Sequence, residues 1–217
     1  MKLTIEHNIL KALLLVDPKN DIRYYLKGVL VDVRAQDVAL VATNSHVLLS
    51  VPYVDDNIEG DRAVGQWIIP REALEAVKPG KVGRTTLPIT VEIIPGAQTP
   101  DPDRPGVTIK APDAITITGT TTTTTKPVEG RYPDWRRVMP AAASLEVAQF
   151  DPSLVATVGD VHALLGGSEK FKPVIHHNGR GGALVSGLGR DALAVIMPLR
   201  VDADDMRHPG LPSWATA

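Results

Sequence analysis

The chain of 217 residues sets 23 Lys and Arg against 25 Asp and Glu, a formal net charge of -2 at pH 7. It therefore does not hold nucleic acid by bulk positive charge, and any DNA contact must come from a local patch or from enclosure. Absence of cysteine excludes disulfides, thiolate nucleophiles and cysteine zinc sites, while a 43% hydrophobic, 4% aromatic composition points to a folded core of Val, Ile, Leu and Ala.

The opening residues, Met1 to His7, lack the long apolar core of a signal peptide. The most apolar early run, Ala12 to Val16, is far shorter than the ~20 residues a membrane span needs. A soluble, cytoplasmic protein without a membrane partner is expected.

Along the chain one pattern recurs three times: strand, short helix, then three strands. In the first unit, Leu3 to Glu6 alternates apolar and polar as a half-buried strand does. Asn8 is placed to cap a helix carrying Ile9, Leu10, Leu13 and Leu14, and Asp17-Pro18 ends it. Gly28 to Arg34 and Asp37 to Thr43 read as a hairpin about Ala35-Gln36, followed by a strand from His46 to Val54. The second unit opens at Gln66-Trp67-Ile68-Ile69. Pro70 suits the first position of a helix through Val77, and Lys78-Pro79-Gly80 stops it. Strands are expected at Leu87 to Ile94, Gly106 to Lys110, Ile115 to Thr118 and Thr120 to Val128, with a surface loop from Pro95 to Pro105. The third unit has a strand from Leu145 to Phe150 and a helix opened by Asp151-Pro152 and closed by Gly166-Gly167. Strands follow at Pro173 to His177, Ala183 to Leu188 and Ala192 to Val201. The last stretch, Asp202 to Ala217, has no periodicity and is expected to be loose. The fold class is α+β, with βαβββ units whose helices cover one face of antiparallel sheets. A lone unit buries too little, so units should pair.

Four segments carry a family resemblance. Asp21-Ile22-Arg23-Tyr24-Tyr25-Leu26-Lys27-Gly28-Val29-Leu30 resembles the start of the middle domain of the bacterial DNA polymerase III β sliding clamp, and Val41-Ala42-Thr43-Asn44-Ser45-His46-Val47-Leu48 that domain's Ala-Thr-Asp-Gly-His-Arg-Leu segment. Gly130-Arg131-Tyr132-Pro133-Asp134-Trp135-Arg136-Arg137-Val138-Met139-Pro140 is similar to the segment that closes the middle domain. Val195-Ile196-Met197-Pro198-Leu199-Arg200 resembles the clamp's C-terminus. The order is that of the family, so the resemblance implies a DNA-clamp fold in a shortened form, as a phage or mobile element could carry. A complete clamp domain is expected over 1–139 and a single βαβββ unit over 145–201, with a loose tail at 202–217. The family's first domain and the first unit of its last domain have no counterpart. The family's Asp-Gly-His-Arg is here Asn44-Ser45-His46-Val47, which removes backbone freedom at Ser45 and a cation at Val47.

The resemblance further implies a non-catalytic processivity or adaptor protein of DNA replication. Its partners would be replication proteins with clamp-binding motifs and double-stranded DNA held without sequence preference, in a homo-oligomer. The family's peptide pocket maps onto Arg23, Leu26, Thr43, His46, Leu48, Pro133, Arg137, Val138, Leu154, Met197, Pro198, Leu199 and Arg200. Candidate DNA-facing cations are Lys11, Arg71, Lys78, Lys81 and Arg84. The third helix carries no Lys or Arg, and its Asp160 repels phosphate. The alternative is a regulatory or decoy clamp-fold protein that binds DNA without encircling it.

The residues themselves give no catalytic constellation. His46 has no recognisable nucleophile beside it. His176 and His177 would point to opposite faces of a strand and share no ion, so no metal or cofactor is expected. Asn178-Gly179-Arg180-Gly181-Gly182 lies between strands and opens no helix, which makes it a hairpin turn rather than a phosphate loop. Arg136 and Arg137 are read either as holders of a carboxylate or as partners of Asp134.

Overall fold

The computed structural model describes residues 1–19, 21–54, 58–100, 108–111 and 113–201. The expected tail at 202–217 lies outside them. The first unit is β1 (Lys2–Ile5), α1 (His7–Val16), β2 (Gly28–Val33), β3 (Val38–Thr43) and β4 (Val47–Tyr53), with a short β5 (Ile58–Glu59). The second is β6 (Gly65–Pro70), α2 (Arg71–Ala76), the small hairpin β7 (Lys81–Val82) and β8 (Thr85–Thr86), then β9 (Ile89–Ile94), β12 (Ala114–Thr118) and β13 (Thr122–Thr125). Between β9 and β12, β10 (Gln98–Pro100) and β11 (Thr108–Lys110) pair as a ribbon; β10 lies inside the expected loop, and β11 within the strand expected at Gly106 to Lys110. The third unit is α3 (Pro152–Leu164), β14 (Val174–His176), β15 (Ala183–Ser186) and β16 (Leu193–Ile196).

Two antiparallel sheets result, in the orders β13-β12-β9-β1-β5 and β14-β15-β16-β4-β3-β2-β6. The first two units exchange their leading strands. β1 lies in the second unit's sheet against β9, with Leu3 opposite Val91. β6 lies in the first unit's sheet against β2, with Ile68 opposite Leu30. Neither unit can close its sheet without the other. The third unit extends the first unit's sheet, since β16 pairs with β4 and places Val195 opposite Leu48. Its helix packs on α1, and Arg190 forms a two-pronged ion pair with Glu6 at 2.6 Å.

β2 and β3 are buried along their whole length, because the seven-stranded sheet is covered on both faces. On the helix side, Val29, Val31, Leu40 and Leu49 join Ile9, Leu13, Val158 and Val161 in the main core. On the opposite side, Leu30, Val41, Leu48, Ile68 and Val195 pack beneath Leu26, Tyr132 and Trp135. Such continuous apolar strands signal two covered faces, as in a sandwiched sheet.

Several local expectations change. α1 begins at His7 behind Glu6, so Asn8 lies inside the first turn and caps nothing. Pro70 ends β6 and stands at the cap position of a helix of only six residues. α3 starts as expected: Asp151 accepts a hydrogen bond from the Ser153 N–H at 2.8 Å, and Pro152 holds the first helical position. Leu145 to Phe150 forms no strand.

Arg71, expected to face DNA, is only 7% exposed. Its guanidinium bonds the Asp17 carboxylate at 2.7 Å and the carbonyls of Leu14 and Asp17 at 3.0 and 3.1 Å. Asp17 also accepts the Gly28 N–H at 2.6 Å. One buried pair thus joins the end of α1, the start of β2 and the start of α2. It also satisfies carbonyls that the end of α1 leaves without helical partners. Burial pushes the Asp17 carboxyl above its usual range, against the pull of Arg71 and the Gly28 amide. Replacing one member strands the other's charge. Arg71→Met is expected to cost about 3–5 kcal/mol in urea unfolding, whereas Asp17→Asn with Arg71→Met should cost less than that single change. A loss under about 1 kcal/mol for Arg71→Met would contradict this account.

Candidate cleft at the seam of the first and third units

Where β4 meets β16, the outer face of the sheet carries a cavity of about 310 Å³. Its lining comes from four separate segments. A 3-10 turn, Tyr24–Leu26, brings Arg23, Tyr25 and Leu26. The β3–β4 turn brings Thr43, Ser45, His46, Val47 and Leu48, the 132–138 segment brings Tyr132, Pro133, Trp135 and Val138, and the end of β16 brings Val195 and Met197.

Each wall is held by local bonding. In the β3–β4 turn, Asn44 accepts the N–H groups of His46 and Val47 at 2.9 and 2.8 Å. Thr43 donates its hydroxyl to the Val47 carbonyl and accepts the Ser45 N–H. Together these hold Ser45 at φ 75°, a left-handed conformation unusual for a residue with a side chain. The His46 carbonyl accepts the Met197 N–H at 2.8 Å, which fixes Met197 to the turn. On the opposite wall, Arg23 is braced by Asp21 through two guanidinium bonds of 2.9 and 2.6 Å. Those bonds hold the Asp21 carboxyl at about 2, well below the usual carboxylate range.

The 132–138 wall is anchored through the sheet. Asp32, 2% exposed on β2, accepts the Trp135 indole N–H at 2.9 Å and the Gln66 amide at 3.0 Å. It also binds the Arg136 guanidinium, whose other arm reaches Asp37. Arg136 stacks 4.3 Å above the Trp135 ring. So Arg136 pairs with Asp32 and Asp37 rather than with Asp134. It positions the wall and is spent in doing so. Tyr132 beside it is 3% exposed, and burial raises its hydroxyl far above the usual range.

Of the residues mapped from the clamp motifs, Arg23, Leu26, Thr43, His46, Leu48, Pro133, Val138 and Met197 line this cavity. Pro198, Leu199 and Arg200 line an adjoining hollow of about 450 Å³ with Arg180, and Met197 borders both. Two mapped residues stand elsewhere. Leu154 packs from α3 against the helix-side core. Arg137 is exposed beyond the wall. Tyr25, Ser45, Val47, Tyr132, Trp135 and Val195 were not anticipated, although all lie within the quoted segments.

The other candidates separate. Lys11, Lys78, Lys81 and Arg84 are exposed. The charges of Lys11 and Lys81 both depress the His7 pKa, after the larger effect of its burial, so they share a neighbourhood on the helix side. His176 bonds Ser186 at 2.8 Å, while His177 accepts the Ala148 N–H at 3.1 Å, so the two serve different partners. Among the described residues no group of three or more His, Cys, Asp or Glu is placed to hold a metal, and no helix is long and apolar enough to cross a membrane. Trp135→Phe keeps the ring but leaves Asp32 one donor short. It should lower stability by about 1–2 kcal/mol in urea unfolding, and an unchanged midpoint would remove the anchoring role of that bond.

Comparisons with protein-family models and with curated proteins find no match. Solved structures do match. A DNA polymerase sliding clamp from Pseudomonas aeruginosa is 19% identical, with a TM-score of 0.52 over 93% of this chain and 67% of the clamp. The Helicobacter pylori beta clamp bound to a DNA ligase peptide is 13% identical, with a TM-score of 0.56 over 92% of this chain and 66% of that one. The Bartonella birtlesii clamp bound to griselimycin is 17% identical, with a TM-score of 0.52 and coverages of 92% and 66%. Strand exchange, helices on one face and a continuous sheet across the seam agree with this likeness: the chain has the fold of the bacterial sliding clamp, DNA polymerase III subunit beta, across about two thirds of that protein's length.

Proposed function

We propose that this protein is a non-catalytic, clamp-like adaptor of DNA replication that docks short peptide motifs of polymerase or other replication proteins in the seam cleft. The observation that carries the reading is the convergence of all four clamp-like segments on one cavity with an apolar floor. Leu26, Leu48, Trp135 and Val195 form that floor, and they are already buried by their neighbours. It is therefore preformed, and a ligand does not have to order it. Met197 stands half-open at the junction with the second hollow and can adapt to ligands of different shape. Arg180 and Arg200 line that hollow and suit a peptide carboxylate or backbone carbonyl. An extended peptide with one or two large apolar anchors fits this pair of cavities. The helix-bearing face supports DNA contact only in part. Lys11 and Lys81 lie near each other, whereas α3 carries no cation and exposes Asp160. That asymmetry favours a second reading, a regulatory or decoy clamp fold that does not encircle DNA.

A Gln-x-x-Leu-Phe peptide titrated into the protein is expected to bind at micromolar Kd, about 8 kcal/mol, and Met197→Ala should weaken it by roughly tenfold. No binding by the folded wild type at hundreds of micromolar would end the peptide reading. For DNA, retention on a closed circular duplex but not on a linear one would favour encirclement. Salt-sensitive binding to both, reduced by Lys11→Ala with Lys81→Ala, would favour the second reading.

A further inference from the structure

Strand exchange between the first two units sets a rule that the third unit leaves half-fulfilled. β1 has two strand neighbours, and β6 has one, with a single bond on its other side from Val128 N–H, in the stretch after β13, to the Ile68 carbonyl at 2.9 Å. Each pairs with the other unit's second strand, as β1 has β9 and β6 has β2. The second neighbour of β1 is the stretch that follows its own unit's last strand, β5. In the third unit the leading segment, Leu145 to Phe150, has that second neighbour: the Leu199 N–H bonds the Gln149 carbonyl at 2.8 Å. Among the described residues no second strand pairs with it. Conversely, β14, the third unit's second strand, ends the seven-stranded sheet, and among the described residues no leading strand lies on its outer side.

The segment keeps the alternation of a strand that expects a partner. Ala148 and Phe150 turn inward, and Phe150 packs on the helix-side core. Leu145 and Val147 turn outward, and they are 82% and 73% exposed. Val174 on the open strand is 53% exposed. The segment meets only the turn that follows β14, through Leu145 N–H to the His177 carbonyl, Gly179 N–H to the Glu146 carbonyl, Ala148 N–H to the His177 ring and Phe150 against that ring, and it pairs with no residue of β14 itself. There the chain is bent, with Leu145 at φ 66°. An open edge flanked by apolar side chains is a template for another strand.

We propose that a second copy of this chain completes the third unit. The Leu145–Phe150 segment of each copy adds to the open edge of β14 in the other, across a two-fold axis. The occupant is a second copy because one surface offers both halves of the exchange. An isologous contact satisfies both halves at once, whereas a foreign strand would satisfy only one. Charge agrees: the leading segment carries Glu146 and no cation, and β14 follows Lys170 and Lys172. The paired third units then repeat the architecture of the first two. The segment borders the second hollow through its Gln149–Leu199 bond, but neither Val147 nor Val174 lines either cavity.

Light scattering and sedimentation across micromolar to hundred-micromolar concentrations test this, with Val147→Asp and Val174→Asp as variants. Both side chains are exposed, so neither change should alter the melting temperature of the single chain. The wild type should be a dimer. Each variant should be a monomer, since a carboxylate on the exchanged strand or on its acceptor edge disfavours pairing. A wild type that stays monomeric throughout overturns the proposal, as does a dimer that survives either substitution. Peptide affinity at the seam cleft, measured on the same samples, reports on the docking function separately.

Discussion

The buried pair of Asp17 and Arg71 is the interaction on which the rest of the structure depends. A carboxylate and a guanidinium removed from water are expensive unless each finds several partners. Here each does. Asp17 accepts the Gly28 amide as well as Arg71, and Arg71 also binds two carbonyls at the end of α1. The geometry ties together the places where the chain leaves one unit's helix, starts its sheet, and passes from the exchanged strand β6 into α2. Leading-strand exchange needs these places to coincide. If α2 shifted along its axis, β6 would lose register with β2, and a one-residue slip would turn Trp67 and Ile69 out of the helix-side core.

The seam cleft follows from covering the sheet on both faces. The 3-10 turn at Tyr24–Leu26 and the 132–138 segment cover the outer face only in part. β16 adds Val195 at the sheet's extension. The hollow among these pieces is a core left open along one line, which explains why Leu26, Leu48 and Val195 belong both to a packed cluster and to the cavity lining. Rigidity comes from the Asp32 network behind it. The polar rim comes from a turn whose strained residue, Ser45, is held by the Thr43 and Asn44 side chains. The same interactions that stabilise the sheet therefore organise the cleft.

Much of this was legible in the sequence, and the rest was hidden for identifiable reasons. Periodicity located β1, α1, β2, β3, β9 and α3, because amphipathic alternation is a local property. It could not say in which sheet β1 or β6 would lie, since their register partners are 84–90 and 32–42 residues away. Cations misled for the same reason. Arg71 looks like a surface helix residue until Asp17 removes it from solvent, and Arg136 looks like a partner of nearby Asp134 until Asp32 claims it across 104 residues. The cleft was found through motif order. Tyr25, Tyr132 and Trp135 also line it although only adjacent residues were named, because carrying residues over from a family pocket does not show which neighbouring rings the packing of this chain turns inward. Leu145 to Phe150 is the instructive miss. Its alternation is that of a strand, but a strand also needs an edge, and among the described residues the segment pairs with none.

That last case bears on how the three units divide the work. The first unit is the hub, since its sheet receives β6 from the second unit on one side and β16 from the third on the other. The second unit ends at β13, a run of threonines whose side chains bond one another, as Thr124 does with Thr116. Polar, self-satisfied residues make that terminal strand a poor template for association. The third unit ends differently, with an apolar leading segment and a strand edge that is unpaired among the described residues. Helix faces follow the same division. Lys11 and Lys81 gather on the side of the first two units, and the third contributes an uncharged helix apart from Asp160 and His162. The exposed cations Lys11 and Lys81 thus belong to the first two units, and the exposed apolar side chains of Leu145, Val147 and Val174 to the third.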